Sequence, residues 1–443
     1  GFSSTMYGRL LPTTHRLCRI ASRCYSSSHA PPVPRPANAL TTTDKSTIQA
    51  VIPLTRETVI RSDSVEGFVV SYAPPSEEAG GAEGKSVYSS WLEVIYPFKT
   101  NAALREEYIR ADKEAIRYGR MFETLDTIAA DSAYRHALGG YREDTPISIV
   151  TACIDSFYLA RDPSIHADLR LTSYVTHVGK TSLEVSGHIY EEDDYVGRAM
   201  FVFVALDAKT AKPTQLPPLS CEQASCLEAE QRNAHRKRLS RQTLMRSPPR
   251  PEEMEILHAL WQNSISFEQI KSDAGDTMLA DPVFWGDLRR GVAMASTRLE
   301  STLLMQPTHR NVHCKMFGGY IARLAFELSW LTVQCLMKSR DIIFRGVDNI
   351  FFLKPVEVGA MVQYVARSIF TAPDEMQVQV DAYQVDPTTG VRDRSNVFHF
   401  HYEPVDAPPP TIVPRDYEEF MLYLEGRRRY LRRKQDMTLA NSI

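Results

Sequence analysis

The chain has 443 residues, enough for two or three domains with sizeable cores. Its hydrophobic content of 43% and charged content of 24% are ordinary for a globular protein, and its net charge of −3 argues against general nucleic-acid binding. The longest apolar run is interrupted by Arg323 and Glu327, so it falls short of the roughly 18 uncharged residues of a membrane span. We therefore expect no nucleic-acid partner and no membrane span. The seven cysteines show no framework spacing, which predicts reduced thiols.

The N-terminal segment has the composition of a targeting peptide. Residues 1–43 contain no Asp or Glu, while arginines recur among serines and threonines. Basic, acid-poor segments of this kind are typical of mitochondrial transit peptides. Residues 31–50 are rich in proline, alanine and threonine, which indicates a disordered spacer. We predict a transit peptide and spacer over 1–48 and a location in the mitochondrial matrix; a merely disordered basic tail is the alternative.

The rest of the chain contains one pattern twice. In each copy a glycine-containing turn precedes a long apolar helix, predicted over 120–138 in the first and 320–337 in the second. Matching strands follow, at 154–159 and 347–352, and three further strand-like runs come after each in the same order. The sequence therefore predicts that each half is one helix followed by an antiparallel sheet.

The second helix is apolar almost all round, so other elements must wrap it on all sides. A curved sheet is the natural wrapping, and we predict an α+β fold of two hotdog domains, each a long helix inside a curved antiparallel sheet. The domains span 85–208 and 297–405 and form an intrachain pseudo-dimer. A helical linker covers 209–296, and a basic helical tail covers 406–443. Two unrelated α+β domains are the alternative.

The loop from Asn311 to Gly319 opens directly into the second helix and is the strongest indication of a site. The pair Gly318 and Gly319, preceded by Phe317, allows close approach of a ligand to the backbone. Free N–H groups and the helix dipole favour an oxygen that is, or becomes, negatively charged. We predict oxyanion or substrate binding at these three residues.

The two copies differ at the position that would complete this site. In hotdog pairs the start of one helix lies beside the middle of the other, so the partner of Gly319 should come from the first helix. Asp126 lies seven residues after Gly119, whereas Phe326 lies seven residues after Gly319. One composite site is therefore predicted to be equipped, and the mirror-related one is not.

These residues suit hydrolysis of an activated acyl compound by water. Partial desolvation would make Asp126 a general base toward water, and the amide of Asn311 would orient the carbonyl or the water. An N–H near Gly319 would hold the oxyanion, a contribution of about 3–4 kcal/mol. Each residue also has an ordinary alternative, because a helix Asp is commonly a cap or ion-pair partner and such an Asn a turn residue. The histidines lack metal-ligand spacing, so no metal and no cofactor is predicted.

The ordered motifs resemble the double-hotdog acyl-coenzyme A thioesterases, most closely their mitochondrial branch. Over residues 85–430 the matching segments are Arg117-Tyr118-Gly119, Leu125-Asp126, Thr297-Arg298-Leu299-Glu300-Ser301, Arg310-Asn311-Val312-His313, Phe317-Gly318-Gly319, Lys354-Pro355-Val356-Glu357 and Asn396-Val397-Phe398-His399. The resemblance implies acyl-coenzyme A as substrate, free fatty acid and coenzyme A as products, and catalysis by Asn311 and Asp126.

One departure from the family leaves a second hypothesis open. Relatives usually have a glycine, often followed by asparagine, where this chain has Cys314-Lys315. Larger side chains there would narrow the approach of a thioester, and a strained backbone would cost about 1–3 kcal/mol. The alternative is a catalytically weak paralogue that serves as a structural subunit of a mitochondrial assembly. The basic run 427–434 is predicted to be a solvated helix face, and edge strands favour a homo-oligomer.

Overall fold

The computed structural model describes residues 32–52, 54, 67–74, 84–111, 113–141, 144–220, 224–241, 248–272, 291–310 and 315–441. The predicted transit peptide up to residue 31 and the loop residues 311–314 lie outside this part of the chain. Asn311 and Cys314 therefore stay sequence-based predictions.

The described helices include the two long ones that the sequence predicts. They are α1 (Lys45–Val51), α2 (Ala102–Tyr108), α3 (Tyr118–Leu138), α4 (Ala224–Arg241), α5 (Pro251–Ser272), α6 (Gly318–Met337) and α7 (Tyr417–Asn441). The strands are β1 (Leu40–Thr42), β2 (Val69–Tyr72), β3 (Lys85–Ser86), β4 (Leu92–Tyr96), β5 (Ile109–Arg110), β6 (Lys113–Ile116), β7 (Ile147–Leu159), β8 (Leu169–Val178), β9 (Ser182–Glu191), β10 (Asp194–Asp207), β11 (Leu219–Ser220), β12 (Val292–Ala293), β13 (Leu299–Leu304), β14 (Ile342–Phe352), β15 (Met361–Ala372), β16 (Glu375–Val385), β17 (Arg392–Pro404) and β18 (Ile412–Val413).

Twelve strands form one antiparallel sheet in the order β1-β2-β4-β8-β9-β10-β7-β14-β17-β16-β15-β13. At its centre β7 pairs with β14, with Phe157 opposite Val347, so the sheet runs without a break from one half of the chain to the other. Helix α3 packs on β7 to β10, α6 packs on β13 to β17, and the two helices pack on each other. The predicted α+β class with a large antiparallel sheet is confirmed.

The two halves repeat individual contacts as well as element order. The hydroxyl of Ser90 accepts the Val175 N–H at 3.0 Å, and the hydroxyl of Thr297 accepts the Ser368 N–H at the same distance. The β8–β9 and β15–β16 hairpins carry bulges directly after Val175 and Ser368. The parallel pairs β3–β11 and β12–β18 correspond as well. These contacts therefore pair individual positions of one half with positions of the other.

The two ends of the long helices are capped differently. Gly139 ends α3 in a left-handed conformation, with φ at 82° and its N–H donated to the Arg135 carbonyl. At the N-termini, neither Arg117 before α3 nor Phe317 before α6 provides a side-chain cap. The first N–H groups of both helices are therefore left open to acceptors other than the preceding side chain.

The disordered spacer predicted up to residue 48 is wrong for its described part. Strand β1 pairs with β2, and α1 begins after Asp44, whose carboxylate accepts the Thr47 N–H at 2.8 Å. Ile48 is fully buried, and the Val33 N–H donates to the Tyr174 hydroxyl at 2.9 Å. Proline and threonine dominate the composition of this segment, but a few well-placed apolar residues suffice to attach it to the first half.

The basic C-terminal run is not the solvated face that the sequence predicts. Arg428 forms an ion pair with Glu253 of α5, and Arg433 pairs with both Asp348 and Glu375. The Arg433 side chain is only 18% exposed. Acidic partners that are distant in the sequence neutralise much of this positive charge.

Cysteine chemistry also differs from the expectation at one position. Cys226 is disulfide-bonded, which corrects the prediction of reduced thiols there, while Cys153 and Cys335 are thiols. Within the described ranges, no helix is long and apolar enough to cross a membrane. The same ranges contain no cluster of three or more His, Cys, Asp or Glu side chains placed to hold a metal ion.

Candidate active site

Asp126 lies in the middle of α3, at the contact between the two long helices, and is fully buried. Its Oδ2 accepts the N–H of Gly319 in α6 at 2.8 Å, and its Oδ1 accepts the hydroxyl of Thr151 in β7 at 3.0 Å. One carboxylate from the first half therefore satisfies a helix-start N–H of the second half. This is the acceptor that the side chain of Phe317 does not supply.

The environment of Asp126 changes its acidity. Burial raises its pKa to about 7, although the hydrogen bonds from Thr151 and Gly319 act in the opposite direction by stabilising the carboxylate. A surface capping carboxyl behaves differently: hydrogen bonds from Ser46 and Thr47 lower the pKa of Asp44 to about 2. With a pKa near neutrality, Asp126 can accept a proton and return it at physiological pH.

The two glycines allow the backbone of α6 to approach this carboxylate. A Cβ on Gly319 would lie 2.8 Å from the Cα of Glu123 and 3.2 Å from the Cβ of Asp126. A Cβ on Gly318 would lie 3.3 Å from Oδ2 of Asp126 and from the ring of Phe352. A side chain at Gly319 would push the helices apart, and one at Gly318 would crowd the carboxylate.

The structure thus brings together Asp126, Gly318 and Gly319, three of the predicted site residues. Two of the predicted oxyanion donors are already engaged, because the Gly319 N–H donates to Asp126 and the Phe317 N–H donates to the His309 carbonyl at 3.0 Å. The N–H of Gly318 has no acceptor among the described residues. The open donor at this helix start is therefore that of Gly318, in place of the expected Gly319.

Lys315, one of the two residues that depart from the family pattern, lies at the surface. Its ammonium contacts both carboxylate oxygens of Glu357 at 2.6 Å, and its side chain is 42% exposed. Its backbone bridges to the same residue. The ammonium is therefore held on a surface carboxylate.

Thr151 is a site residue that the sequence analysis missed. The sequence places the start of the first-half strand at residue 154, whereas β7 begins at Ile147 and includes Thr151. With the strand bounds of the structure, a comparison of the halves identifies it. Thr151 lies eight residues before the end of β7, and Phe344 lies eight residues before the end of β14, so a polar residue has an aromatic counterpart.

The mirror-related position, where the start of α3 meets the middle of α6, has corresponding backbone elements but different side chains. In the order Gly318, Asp126 and Thr151, the counterparts are Tyr118, Phe326 and Phe344. Their ring centroids lie 6.2, 5.3 and 4.8 Å apart, within the range of favourable aromatic pairs, and all three are buried. The polar constellation at one end of the helix pair is thus replaced by a packed aromatic cluster at the other.

No family model matches the chain, but several curated sequences are similar to it. The mitochondrial acyl-coenzyme A thioesterase 9 of Bos taurus is 31% identical over 371 residues, covering 82% of each chain. That of Mus musculus is 30% identical over 379 residues, covering 83% of each. The chloroplastic acyl-coenzyme A thioesterase 2 of Humulus lupulus is 29% identical over 352 residues, covering 74% of this chain and 75% of its own.

Solved structures resemble the chain only weakly. An acyl-CoA hydrolase from Staphylococcus aureus aligns with a TM-score of 0.33 and 22% identity, over 34% of this chain and 95% of its own. An acyl-ACP thioesterase from Bacteroides thetaiotaomicron aligns with a TM-score of 0.39 and 11% identity, over 72% and 100%. These alignments are too weak to assign a function or a residue.

Proposed function

The chain belongs to the acyl-coenzyme A thioesterase family, and we propose that it hydrolyses fatty acyl-coenzyme A to a free fatty acid and coenzyme A at one centre built around Asp126. As a member of that family it is a thioester hydrolase. The observation that carries the proposal is the buried Asp126 carboxylate, joined to the Gly319 N–H across the helix contact at 2.8 Å. Its pKa of about 7 suits a general base.

We also infer that the two halves are hotdog domains of one intrachain pseudo-dimer. Support comes from the repeated contacts, since the Ser90–Val175 and Thr297–Ser368 hydrogen bonds have the same length. The antiparallel β7–β14 pairing joins the halves edge to edge. In such a pair the start of α6 lies against the middle of α3 at one contact. At a second contact the start of α3 lies against the middle of α6.

In the first step of the proposed reaction, the ionised Asp126 removes a proton from water, and the hydroxide attacks the thioester carbonyl carbon. The carbonyl oxygen becomes an oxyanion beside the start of α6. The Gly318 N–H is the donor proposed to hold it, helped by the positive end of the helix dipole. A preorganised donor of this kind lowers the barrier by about 3–4 kcal/mol.

In the second step the tetrahedral intermediate collapses and the carbon–sulfur bond breaks. The departing thiolate of coenzyme A takes the proton from Asp126, which returns to its carboxylate form. Thr151 donates a hydrogen bond to the carboxylate at 3.0 Å and so fixes its orientation during both transfers. Asn311, which falls on the family's catalytic position, is proposed to orient the substrate carbonyl or the attacking water.

The alternative of a non-catalytic structural subunit has less support. Burial raises the pKa of Asp126, so the ionised form is unfavourable in the folded protein. A structural role is served better by apolar packing, as at the mirror-related position, where Phe326 stands in the same place. A buried carboxyl with a raised pKa is the arrangement expected where its proton transfer is used.

The direct test is release of free thiol from acyl-coenzyme A substrates of several chain lengths. Asp126→Asn should keep the fold and lose about 10²- to 10⁴-fold in kcat, the range of general-base catalysis. Asp131→Asn is the matched control, because Asp131 is also buried in α3 and accepts the Leu54 N–H at 3.2 Å, away from the Gly319 contact. Wild-type turnover at background level, or equal losses in both variants, would contradict the proposal.

We further propose that the chain acts in the mitochondrial matrix. The acid-free, arginine-bearing segment 1–43 supports this location, and the similar bovine and mouse proteins are named as mitochondrial. Deletion of residues 1–30 removes nothing from the described fold, which begins at residue 32. The shortened protein should stay in the cytosol with its activity intact, as seen by fractionation; unchanged import would overturn the proposed location.

The homo-oligomer expected from the sequence is retained as a proposal. The main sheet ends at β1 on one side and β13 on the other, so both strands present a free edge within the described sheet. Unpaired edges of this kind are sites where a second chain can add. Light scattering on the purified protein distinguishes a monomer from a larger assembly.

A further inference from the structure

The two long helices touch at a pair of residues that occupy the same position in each half. Glu123 follows Gly119 by four residues, and Arg323 follows Gly319 by four. Nη1 of Arg323 donates to Oε2 of Glu123 at 3.0 Å, and Glu123 is only 4% exposed. Equivalent residues of two related halves can meet only on the local twofold axis between them. The Glu123–Arg323 ion pair therefore marks that axis.

A homodimer of identical chains cannot build this contact. Whatever residue lies on a true twofold axis meets its own copy, so an ionised residue there would face a like charge and be repelled. A chain that carries both halves is free to place opposite charges on the axis. The attraction between Glu123 and Arg323 is thus a property of the duplicated chain.

The Glu123–Arg323 ion pair lies about one helical turn from the hydrogen bond between the Gly319 N–H and the Asp126 carboxylate. Asp126 follows Glu123 by three residues on α3, and Gly319 precedes Arg323 by four on α6, so both contacts join the same two helix faces. A Cβ on Gly319 would lie 2.8 Å from the Cα of Glu123, so the helix backbones meet here. A slide of α6 along α3 would open the hydrogen bond and the ion pair together.

Further charged side chains surround the pair and hold both members. They come from the segment before α3 and from α2, α3 and α6. The contacts are Arg120 Nη1 to Glu123 at 2.5 Å, Arg120 Nη2 to Glu107 at 3.2 Å, Arg323 Nε to Glu327 at 3.2 Å and Arg117 Nε to Glu327 at 2.9 Å. Each charge in this network has an opposite partner, so the pair is anchored on both helices.

We propose that Glu123 and Arg323 are positioning residues of the thioesterase reaction, which hold α6 in the register that keeps the Gly319 N–H on the Asp126 carboxylate. This rests on the proposed role of Asp126 as the base. The pair acts through Gly319 and contacts no reacting atom in the proposed mechanism. A displacement near 1 Å at such a site costs up to about a hundredfold in rate.

The first test is the pH dependence of kcat/KM in Glu123→Gln and Arg323→Gln. Loss of the Gly319 hydrogen bond destabilises the ionised carboxylate, so both variants should raise the pKa of Asp126 and lose about tenfold in kcat at pH 7, with a smaller change in KM. A direct charge effect behaves differently, because removing the Glu123 charge lowers the pKa of Asp126 and removing the Arg323 charge raises it. Shifts of opposite sign, or unchanged kcat in both, would overturn the proposal.

Three companion variants separate positioning from general stability. Arg323→Lys keeps the charge and should recover most of the rate. The double variant of Glu123→Gln and Arg323→Gln should be no worse than either single one, since both remove the same interaction. Arg428→Gln removes a similarly buried ion pair with Glu253, with side chains 17% and 12% exposed, and should lower stability without moving the pH profile. A shift in that control would mean that destabilisation alone explains the effect.

A second readout does not depend on turnover. Selective ¹⁵N labelling of the 21 glycines makes the Gly319 amide observable, and its chemical shift should follow the ionisation of Asp126 in the wild type. In Glu123→Gln and Arg323→Gln that response should shrink. The wild-type Gly319 chemical shift could follow the ionisation of Asp126 even if the protein fails to hydrolyse acyl-coenzyme A. The proposed function would then be wrong, but the positioning role of Glu123 and Arg323 could still be tested. A full Gly319 response in both variants would refute the positioning itself.

Discussion

The two ends of the α3–α6 contact have the same backbone arrangement but different side chains, and these differ in their effect on stability. At one end, Asp126 is buried with its pKa raised to about 7, a condition unfavourable for its ionised form. At the other end, Phe326 and Phe344 pack with ring centroids 4.8 Å apart, a favourable contact of about 0.5–1.5 kcal/mol beyond area burial. In a homodimer every substitution changes both ends. A chain that contains both halves can change the two ends separately, here to a buried carboxyl at one end and a packed aromatic cluster at the other.

The largest difference in activity between the two ends is expected when one methyl group is added at each. Gly319→Ala places a Cβ 2.8 Å from the backbone Cα of Glu123, so α6 must move away from Asp126. Gly119→Ala places its Cβ 3.0 Å from Cγ of Arg323, a side-chain atom that needs to give by only a few tenths of an ångström. We expect about a hundredfold loss of kcat/KM from the first and less than about a threefold loss from the second.

These two variants are compared by thiol release at equal folded fractions, with thermal unfolding as the check on folding. Gly119→Ala reports any general sensitivity of the helix starts to a methyl group. Equal losses of activity at Gly119 and Gly319 would show that the two ends of the helix pair are functionally alike, and the idea of a single equipped site would then fail.

A smaller effect is expected at Thr151, whose hydroxyl stabilises the ionised Asp126. Thr151→Val removes that hydrogen bond at nearly constant volume, so the pKa of Asp126 should rise above its wild-type value. Activity at pH 7 should fall by up to about tenfold and recover toward pH 9. Thr127→Val is the control, because the Thr127 hydroxyl donates to carbonyls of its own helix. An unshifted profile in Thr151→Val would argue against its role.

The stability of the protein should also depend on pH through Asp126. The folded pKa of Asp126, about 7, lies above the unfolded value of about 3.9, so the folded state holds this proton more tightly and loses stability as pH rises between these values. Asp126→Asn cannot ionise. Its free energy of unfolding relative to wild type should therefore increase by about 3–4 kcal/mol from pH 4 to pH 8, measured by urea titration. A pH-independent difference would mean that the Asp126 carboxyl is solvated in the folded protein.

Much of this molecule follows from its sequence pattern. The long helices, the strand order after each and the asymmetry between Asp126 and Phe326 are local or repeated features, and comparison of the halves makes them visible. That asymmetry predicts the pairing of Asp126 with Gly318 and Gly319, and the structure places the three together.

Other features depend on contacts between distant segments, which a single sequence does not reveal. Arg433 belongs to a basic run, but its partners Asp348 and Glu375 come from strands far earlier in the chain. Thr151 becomes recognisable only when β7 starts at Ile147. Asp126 accepts the Gly319 N–H, and among the described residues the Gly318 N–H is left without an acceptor. This arrangement requires the three-dimensional register of the two helices.

The most direct test of the central claim, that Asp126 is the base of one equipped site, is the pH profile of kcat/KM for acyl-coenzyme A hydrolysis between about pH 5 and 9. The wild-type rate should fall about tenfold per pH unit below a midpoint near pH 7, because only the ionised carboxylate accepts the proton. In Asp126→Asn the residual rate should lack that midpoint. A wild-type midpoint near pH 4, the ordinary range of an aspartate, or the same midpoint in wild type and Asp126→Asn, would contradict the claim.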